Sequence, residues 1–435
     1  MSPTNHARRF RQLNSVRAVL SSAILILGAM AEIALEHDAQ TSPQGPDLFF
    51  RNARIIDGDG KLITPKGNLV VADGKIVAVG NSAVPTKGLS IDLAGKTIIP
   101  GLVNAHGHVA DTQGLQTGAQ FYTEANLVAQ LKRYASYGVT TVVSLGGDGP
   151  AGFALRDRND QPGLDRARIF VAGPVITAAT PEAARKEVDR VAAMKPDVIK
   201  IRVDDNLGST TKMPLEVARA VIEQAKTHNL RVAAHIFYLE DAKALVRAGA
   251  ALIAHSVRDL PVDAELIGLL KERNVCVCPT LTREVSTFVY ESEPDFFKDP
   301  FFLKGADPAV LDALRDPKRQ AQMRQSKSAQ RYKVALETAI ANVRRLFDAG
   351  VPLASGTDTG PPARFQGYFE HLELELLTRA GLTPAPILAM ATGGAALCSK
   401  LSGLGFLRPG HRADFVVLTG NPLEDIRQTK TIESV

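Results

Sequence analysis

Two histidines one residue apart, His106 and His108, close the apolar run Ile98-Ile99-Pro100-Gly101-Leu102-Val103-Asn104-Ala105. In an extended strand alternate side chains project to one side, so both imidazoles can face a single metal ion, with Gly107 leaving room between them. An isolated His-x-His is more often a polar strand end than a ligand pair. Here further metal-competent residues stand in or just after other apolar runs: Lys200 in Val198-Ile199-Lys200-Ile201, His235 in Ala233-Ala234-His235, His255 in Ile253-Ala254-His255-Ser256, and Asp358 in Ser355-Gly356-Thr357-Asp358. Neutral imidazoles with a carboxylate suit zinc or a similar cation. A lysine buried among them must be paired, uncharged or modified, because an isolated buried ammonium is costly.

The elements that must position these residues follow from periodicity. Strand-like runs ending at His108 and at Val139–Ser144, Arg168–Ile176, Val198–Val203, Arg231–Ile236, Leu252–Ser256, Val275–Pro279 and Val351–Ser355 make eight. Helical segments stand between them; from Pro214 to Asn229, Val217, Val221, Ile222 and Ala225 recur at helical spacing. Eight strand-then-helix repeats predict a (β/α)8 TIM-type barrel over residues 98–399, with its site at the C-terminal strand ends. Short β-branched runs with turns fill residues 47–97, among them a hairpin signal at Asp73-Gly74, and the same texture returns within 400–435. The two ends are therefore expected to meet in a small β-sandwich.

Composition narrows the classes. A chain of 435 residues with ordinary apolar and charged fractions reads as globular. The net charge of +5 owes most of its excess to Arg8, Arg9, Arg11 and Arg17, which precede any acid. No basic stripe with interleaved aromatics marks a nucleic-acid groove. After the arginines, an apolar run from Ala18 ends in Ala29-Met30-Ala31, the pattern of a signal peptide over residues 1–31, with a polar linker over 32–46. Periplasmic or secreted placement is the expectation, a cytoplasmic one the alternative, and no membrane span is expected once the leader is removed. Cys276, Cys278 and Cys398 read as buried small residues, since neither a disulfide framework nor a CxxC is present.

The chain resembles the amidohydrolase superfamily, in its imidazolonepropionase-related, prolidase-like branch. The likeness rests on Ile99-Pro100-Gly101-Leu102-Val103-Asn104-Ala105-His106-Gly107-His108, on Gly138-Val139-Thr140-Thr141-Val142, and on Gly403-Leu404-Gly405-Phe406-Leu407-Arg408-Pro409-Gly410-His411-Arg412-Ala413-Asp414. It implies two divalent metals, zinc by expectation: one held by His106, His108 and Asp358, the other by His235 and His255. Lys200, carbamylated by carbon dioxide, would bridge them. A water between two cations loses its proton near neutral pH and attacks a polarised carbonyl, with Asp358 as general base and then acid. The expected activity is hydrolysis of an amide in a small substrate, such as a dipeptide, an N-acyl amino acid or an aryl amide. A cyclic amide or lactone hydrolase is the alternative, and a non-catalytic scaffold a third reading.

Other residues read less sharply. Tyr238 and Arg258 each follow a ligand histidine by three residues and are tentative grips for a substrate carboxylate, loop packing or an ion pair being the equal alternative. Asp204 and Asp205 read as functional or as solvated turn residues. The segment 281–325 carries Phe288, Tyr290, Phe296, Phe297, Phe301 and Phe302, suited to a lid but more often to packing. His228, His371 and His411 read as structural, and a homo-oligomer is left open.

Overall fold

The computed structural model describes residues 47–84, 88–161 and 163–435, so the leader and linker expected over residues 1–46 lie outside it. Strands β1 (Leu48–Ile56), β2 (Leu62–Ala72), β3 (Lys75–Gly80), β4 (Leu89–Asp92) and β5 (Thr97–Pro100) come first. Then follow β6 (Leu102–Gly107), the short hairpin of β7 (Thr112–Gln113) and β8 (Gln116–Thr117), β9 (Val139–Ser144), β10 (Arg168–Val171), β11 (Ile199–Val203), β12 (Val232–Ile236), β13 (Leu252–Ala254) and β14 (Cys276–Cys278). The chain ends in β15 (Phe415–Leu418) and β16 (Ile432–Ser434).

The two ends of the described chain meet as expected. They form one hydrogen-bonded seven-stranded sheet ordered β16-β15-β5-β1-β2-β3, with β4 on β1. Its continuity runs through β1, whose first half pairs with β4 and whose second half pairs with β5, a register shift separating the halves on its β2 side. Asp73 and Gly74 both take positive φ, +50° and +70°, as a tight hairpin requires. Ala53, Ile55, Leu69, Ile98, Leu407 and Val417 form this sheet's core.

The middle of the chain builds two parallel sheets, β10-β9-β6 and β11-β12-β13-β14. Single bonds carry the pairing further: Ile176 N–H donates to Lys200 O at 3.0 Å, Ala354 N–H to Val277 O at 3.0 Å, and Ala105 N–H to Ser355 O at 3.0 Å. The expected third strand stops at Val171, because Gly173, at φ +73°, and Pro174 interrupt it. The expected eighth strand, Val351–Ser355, is reduced to one bridge at Leu353, since Pro352 has no N–H to extend a ladder. Inward positions carry small residues, among them Ala105, Ala172, Ala233, Ala254, Cys278 and Ala354, while Ile169, Ile199, Ile201, Ile253 and Val277 face the helices. Close approach is extreme at Gly356, where a Cβ would lie 2.5 Å from Cys278 Sγ and 2.7 Å from His106 N.

One reading changes. Cys276 and Cys398 form a disulfide that ties β14 to the helix Gly393–Ser399, and only Cys278 is a free thiol. Partners 122 residues apart cannot be matched from spacing. The aromatics of segment 281–325 mostly form a core of their own: Tyr290, Phe297 and Phe302 are buried with Tyr137, Tyr368 and Phe369. Among the described residues no helix is long and apolar enough to cross a membrane.

Candidate metal centre

The C-terminal strand ends and the turns after them bring His106, His108, His235, His255 and Asp358 into one cluster, which Lys200 joins from within β11, its Nζ on His106 Nε2. Parity alone would not do this. Between Asn104 and Gly107 the register of β6 against β9 slips, a bulge of the kind that re-aims side chains, and His106 is fully buried. His255 takes φ +94° just past β13, which turns its ring in toward His106, 4.6 Å between ring centroids. Asp358 also has positive φ, +59°, and the Thr357 and Asp358 N–H groups both donate to His106 O. Beneath this turn, Glu370 accepts from Asn104, Thr357 and Thr359, pinning β6 to the Asp358 segment.

The hydrogen-bond network fixes which ring nitrogens carry protons. His108 Nδ1 lies 3.0 Å from Gly146 O, which can only accept, so Nδ1 carries the hydrogen. Its Nε2 faces Asp358 Oδ1 at 2.9 Å. His235 Nε2 donates to Asp204 Oδ2 at 2.8 Å, leaving Nδ1 bare. The Thr280 hydroxyl donates to Pro279 O at 2.7 Å and therefore accepts from His255 Nδ1 at 2.6 Å, leaving His255 Nε2 bare. The two bare nitrogens face each other at 2.8 Å. Lone pairs opposed at such distances repel unless a cation lies between them. Ligand atoms of His106, His108 and Asp358 all fall within 4.8 Å of one another. The donor set therefore fits divalent metal in both halves of the cluster.

Electrostatics agree. Burial, helped by the Lys200 charge, pushes His106 down to about 3, and burial holds His235 and His255 well below the usual imidazole range, so all three stay neutral, the ligand form. Burial lowers Lys200 to about 8, with Nζ 3.1 Å from His106 Nε2. Burial alone would raise Asp358, but the Arg364 guanidinium on its second oxygen and the two imidazoles outweigh it and hold the carboxyl well below its usual range.

Arg258 does not lie on the rim. It is 2% exposed, its Nε is 3.0 Å from Glu284 Oε1, and its Nη1 donates to Ile236 O and Ser256 O at 2.9 Å, clamping the ends of β12 and β13. Tyr238 is half-buried, and its hydroxyl donates to Asp205 Oδ1 at 2.8 Å. Asp204 is no solvated turn residue; it is 3% exposed and committed to His235. Its place directly after β11, beside a ligand strand, was the available signal. Arg364, in a Pro-Pro loop six residues past Asp358, carried none.

The model of the amidohydrolase family matches residues 97–435. Ochratoxinase from Aspergillus niger is 28% identical over 291 residues, 64% of this chain but 52% of that enzyme, so the match spans about half the length of this curated relative. Imidazolonepropionase from Deinococcus deserti is 40% identical over 87 residues, 20% of this chain and 22% of that one. A structure from Bifidobacterium longum assigned as a prolidase superposes with TM-score 0.71 at 26% identity, covering 90% of this chain and 93% of the other.

Proposed function

Because the chain belongs to the amidohydrolase family, we propose that it is a metal-dependent hydrolase cleaving the amide C–N bond of a small carboxylate-bearing substrate, such as a dipeptide, an N-acyl amino acid or an aryl amide. The observation that carries this reading is the pair of bare imidazole nitrogens, His235 Nδ1 and His255 Nε2, opposed at 2.8 Å beside the His106, His108 and Asp358 group. The likeness to ochratoxinase and to a prolidase supports the substrate class. The hydrogen bonds that join the parallel sheets support a closed eight-stranded barrel.

Two divalent ions, zinc by preference, would supply Lewis acidity and lower the pKa of water when bound. His106, His108 and Asp358 would hold one, and His235 and His255 the other. Lys200, at about 8, has a neutral fraction near physiological pH whose nitrogen can add to carbon dioxide and release a proton, giving a carbamate that would serve as a further ligand. Asp358 accepts the proton of the attacking water and returns it to the leaving nitrogen, while Arg364 keeps its carboxylate oriented. Tyr238 is assigned to substrate contact at the rim, and Arg258, tied to Glu284, to support behind it. The disulfide supports export to an oxidising compartment.

Burial of Arg258 also favours a second reading, a cyclic amide or lactone hydrolase, whose substrate needs no carboxylate grip. Mass spectrometry of metal-loaded protein incubated with dipeptides, N-acyl amino acids, cyclic imides and lactones separates the two. Cleavage of linear amides with a free carboxylate is expected. Cleavage of rings alone selects the second reading, and no turnover of either class by metal-loaded protein overturns both.

A further inference from the structure

We infer that Asp204 is a positioning residue that fixes the tautomer of His235 and thereby decides whether the His235–His255 pair takes a metal ion or closes on itself. The inference rests on the metal-dependent reading above. Asp204 follows β11 directly, and its side chain has no exposure. Both carboxylate oxygens are committed: Oδ1 accepts the Asn206 N–H at 2.9 Å, and Oδ2 faces His235 Nε2 at 2.8 Å. The first bond is local, made by a turn in which Asn206 and Leu207 take φ +50° and +61°. It leaves the carboxylate no rotation that would free the second oxygen. Its neighbour Asp205 turns to the rim and accepts from Tyr238, so adjacent acids divide between the metal cluster and the surface.

The consequence follows from proton counting. An ionised carboxylate can only accept, so His235 must carry its hydrogen on Nε2 and present a bare Nδ1 to His255. Thr280 independently fixes His255 with a bare Nε2. Both nitrogens then await a cation. In the opposite tautomer of His235, Nδ1–H would donate to His255 Nε2 across the same 2.8 Å, and a proton would occupy the space between the rings. Carboxylates that orient ligand histidines in this way are worth about 10–100-fold in metal affinity.

Asp204→Asn is the sharp test because it keeps the shape and inverts one hydrogen-bonding group. Its carbonyl oxygen retains the Asn206 N–H, so its NH2 faces His235 Nε2 and strips that nitrogen of its hydrogen. Nitrogen-detected histidine NMR of the metal-free protein should show His235 as the Nε2–H tautomer in wild type and as Nδ1–H in D204N. Elemental analysis after zinc loading should give two equivalents in wild type and one in D204N, with unchanged circular dichroism and retained His106–His108 occupancy. An unchanged tautomer, or two zinc ions bound with wild-type affinity by D204N, overturns the inference. Wild type binding fewer than two zinc ions would instead count against the two-metal reading, while the tautomer comparison in metal-free protein still decides the role of Asp204. If D204N does not fold, D204A serves: a mixture of tautomers with weakened second-ion binding is expected, and a pure Nε2–H tautomer with full binding contradicts it.

Discussion

On the proposed two-metal reading, the two halves of the cluster would hold a cation by different means. His106 and His108 converge on an ionised carboxylate, Asp358, whose second oxygen is neutralised by Arg364. Apart from Lys200, which the proposed reading shares between the halves, His235 and His255 converge on each other, and the charges behind them, Asp204 and the Arg258–Glu284 pair, sit one step away. The first half would attract an ion by charge. The second would accept one by geometry, with two neutral nitrogens aimed by outer hydrogen bonds. It should therefore bind more weakly and depend more on residues that never touch the ion.

Asp358→Asn should do the most damage, because it removes ligand charge and proton carrier together: turnover of the best substrate should fall about 10²–10⁴-fold in a folded protein. Near-native kcat would break the assignment. Thr280→Val unpins His255 without touching a ligand, and should cost about 10–100-fold in affinity for the second ion while leaving the first unchanged. Equal losses at both sites, measured by zinc titration, would erase the distinction between the halves.

Acid should separate the halves as well. As pH falls, Asp358 stays ionised because its carboxyl is held well below the usual range, so the second ion should dissociate first on acid titration. Stability of the metal-free fold adds a further sign. His106 and His371 are both held at about 3 by burial, whereas their unfolded value is 6.5. Between those values the unfolded chain binds protons that the folded chain refuses, so stability is full above 6.5 and drops as the pH falls through that window. The upper bound is about 1.4 kcal/mol per pH unit for each histidine, read as a falling urea midpoint. A flat midpoint between about pH 6 and about pH 4 would contradict it.

The smallest effect on the cluster is expected from the opposite ends of the strands. Cys276→Ser with Cys398→Ser should lower stability by about 2–4 kcal/mol and leave zinc stoichiometry intact. Loss of metal in that variant would tie the two regions together.

Much of this was readable from sequence, for a physical reason: strand periodicity and apolar runs are local, and each proposed ligand stands in or just after one. His106, His108, Lys200, His235, His255 and Asp358 were each visible in that way. What escaped depended on pairing across the fold. The partner of Arg258 is Glu284, and that of Cys276 is Cys398, and neither distance along the chain carries a signal. Backbone turns were equally silent. The inward aim of His255 needs φ +94°, which a non-glycine residue rarely adopts and alternation does not foresee. Asp204 was ambiguous because an acid after a strand serves a solvated turn or a buried histidine equally well until burial is known.

Stepwise chelation of zinc-loaded protein, followed by elemental analysis, tests the central claim most directly. The account predicts two equivalents, released in two resolved steps, with the weaker step abolished by His255→Ala and the tighter one retained. A single equivalent, or two released together and both lost in His255→Ala, would contradict it.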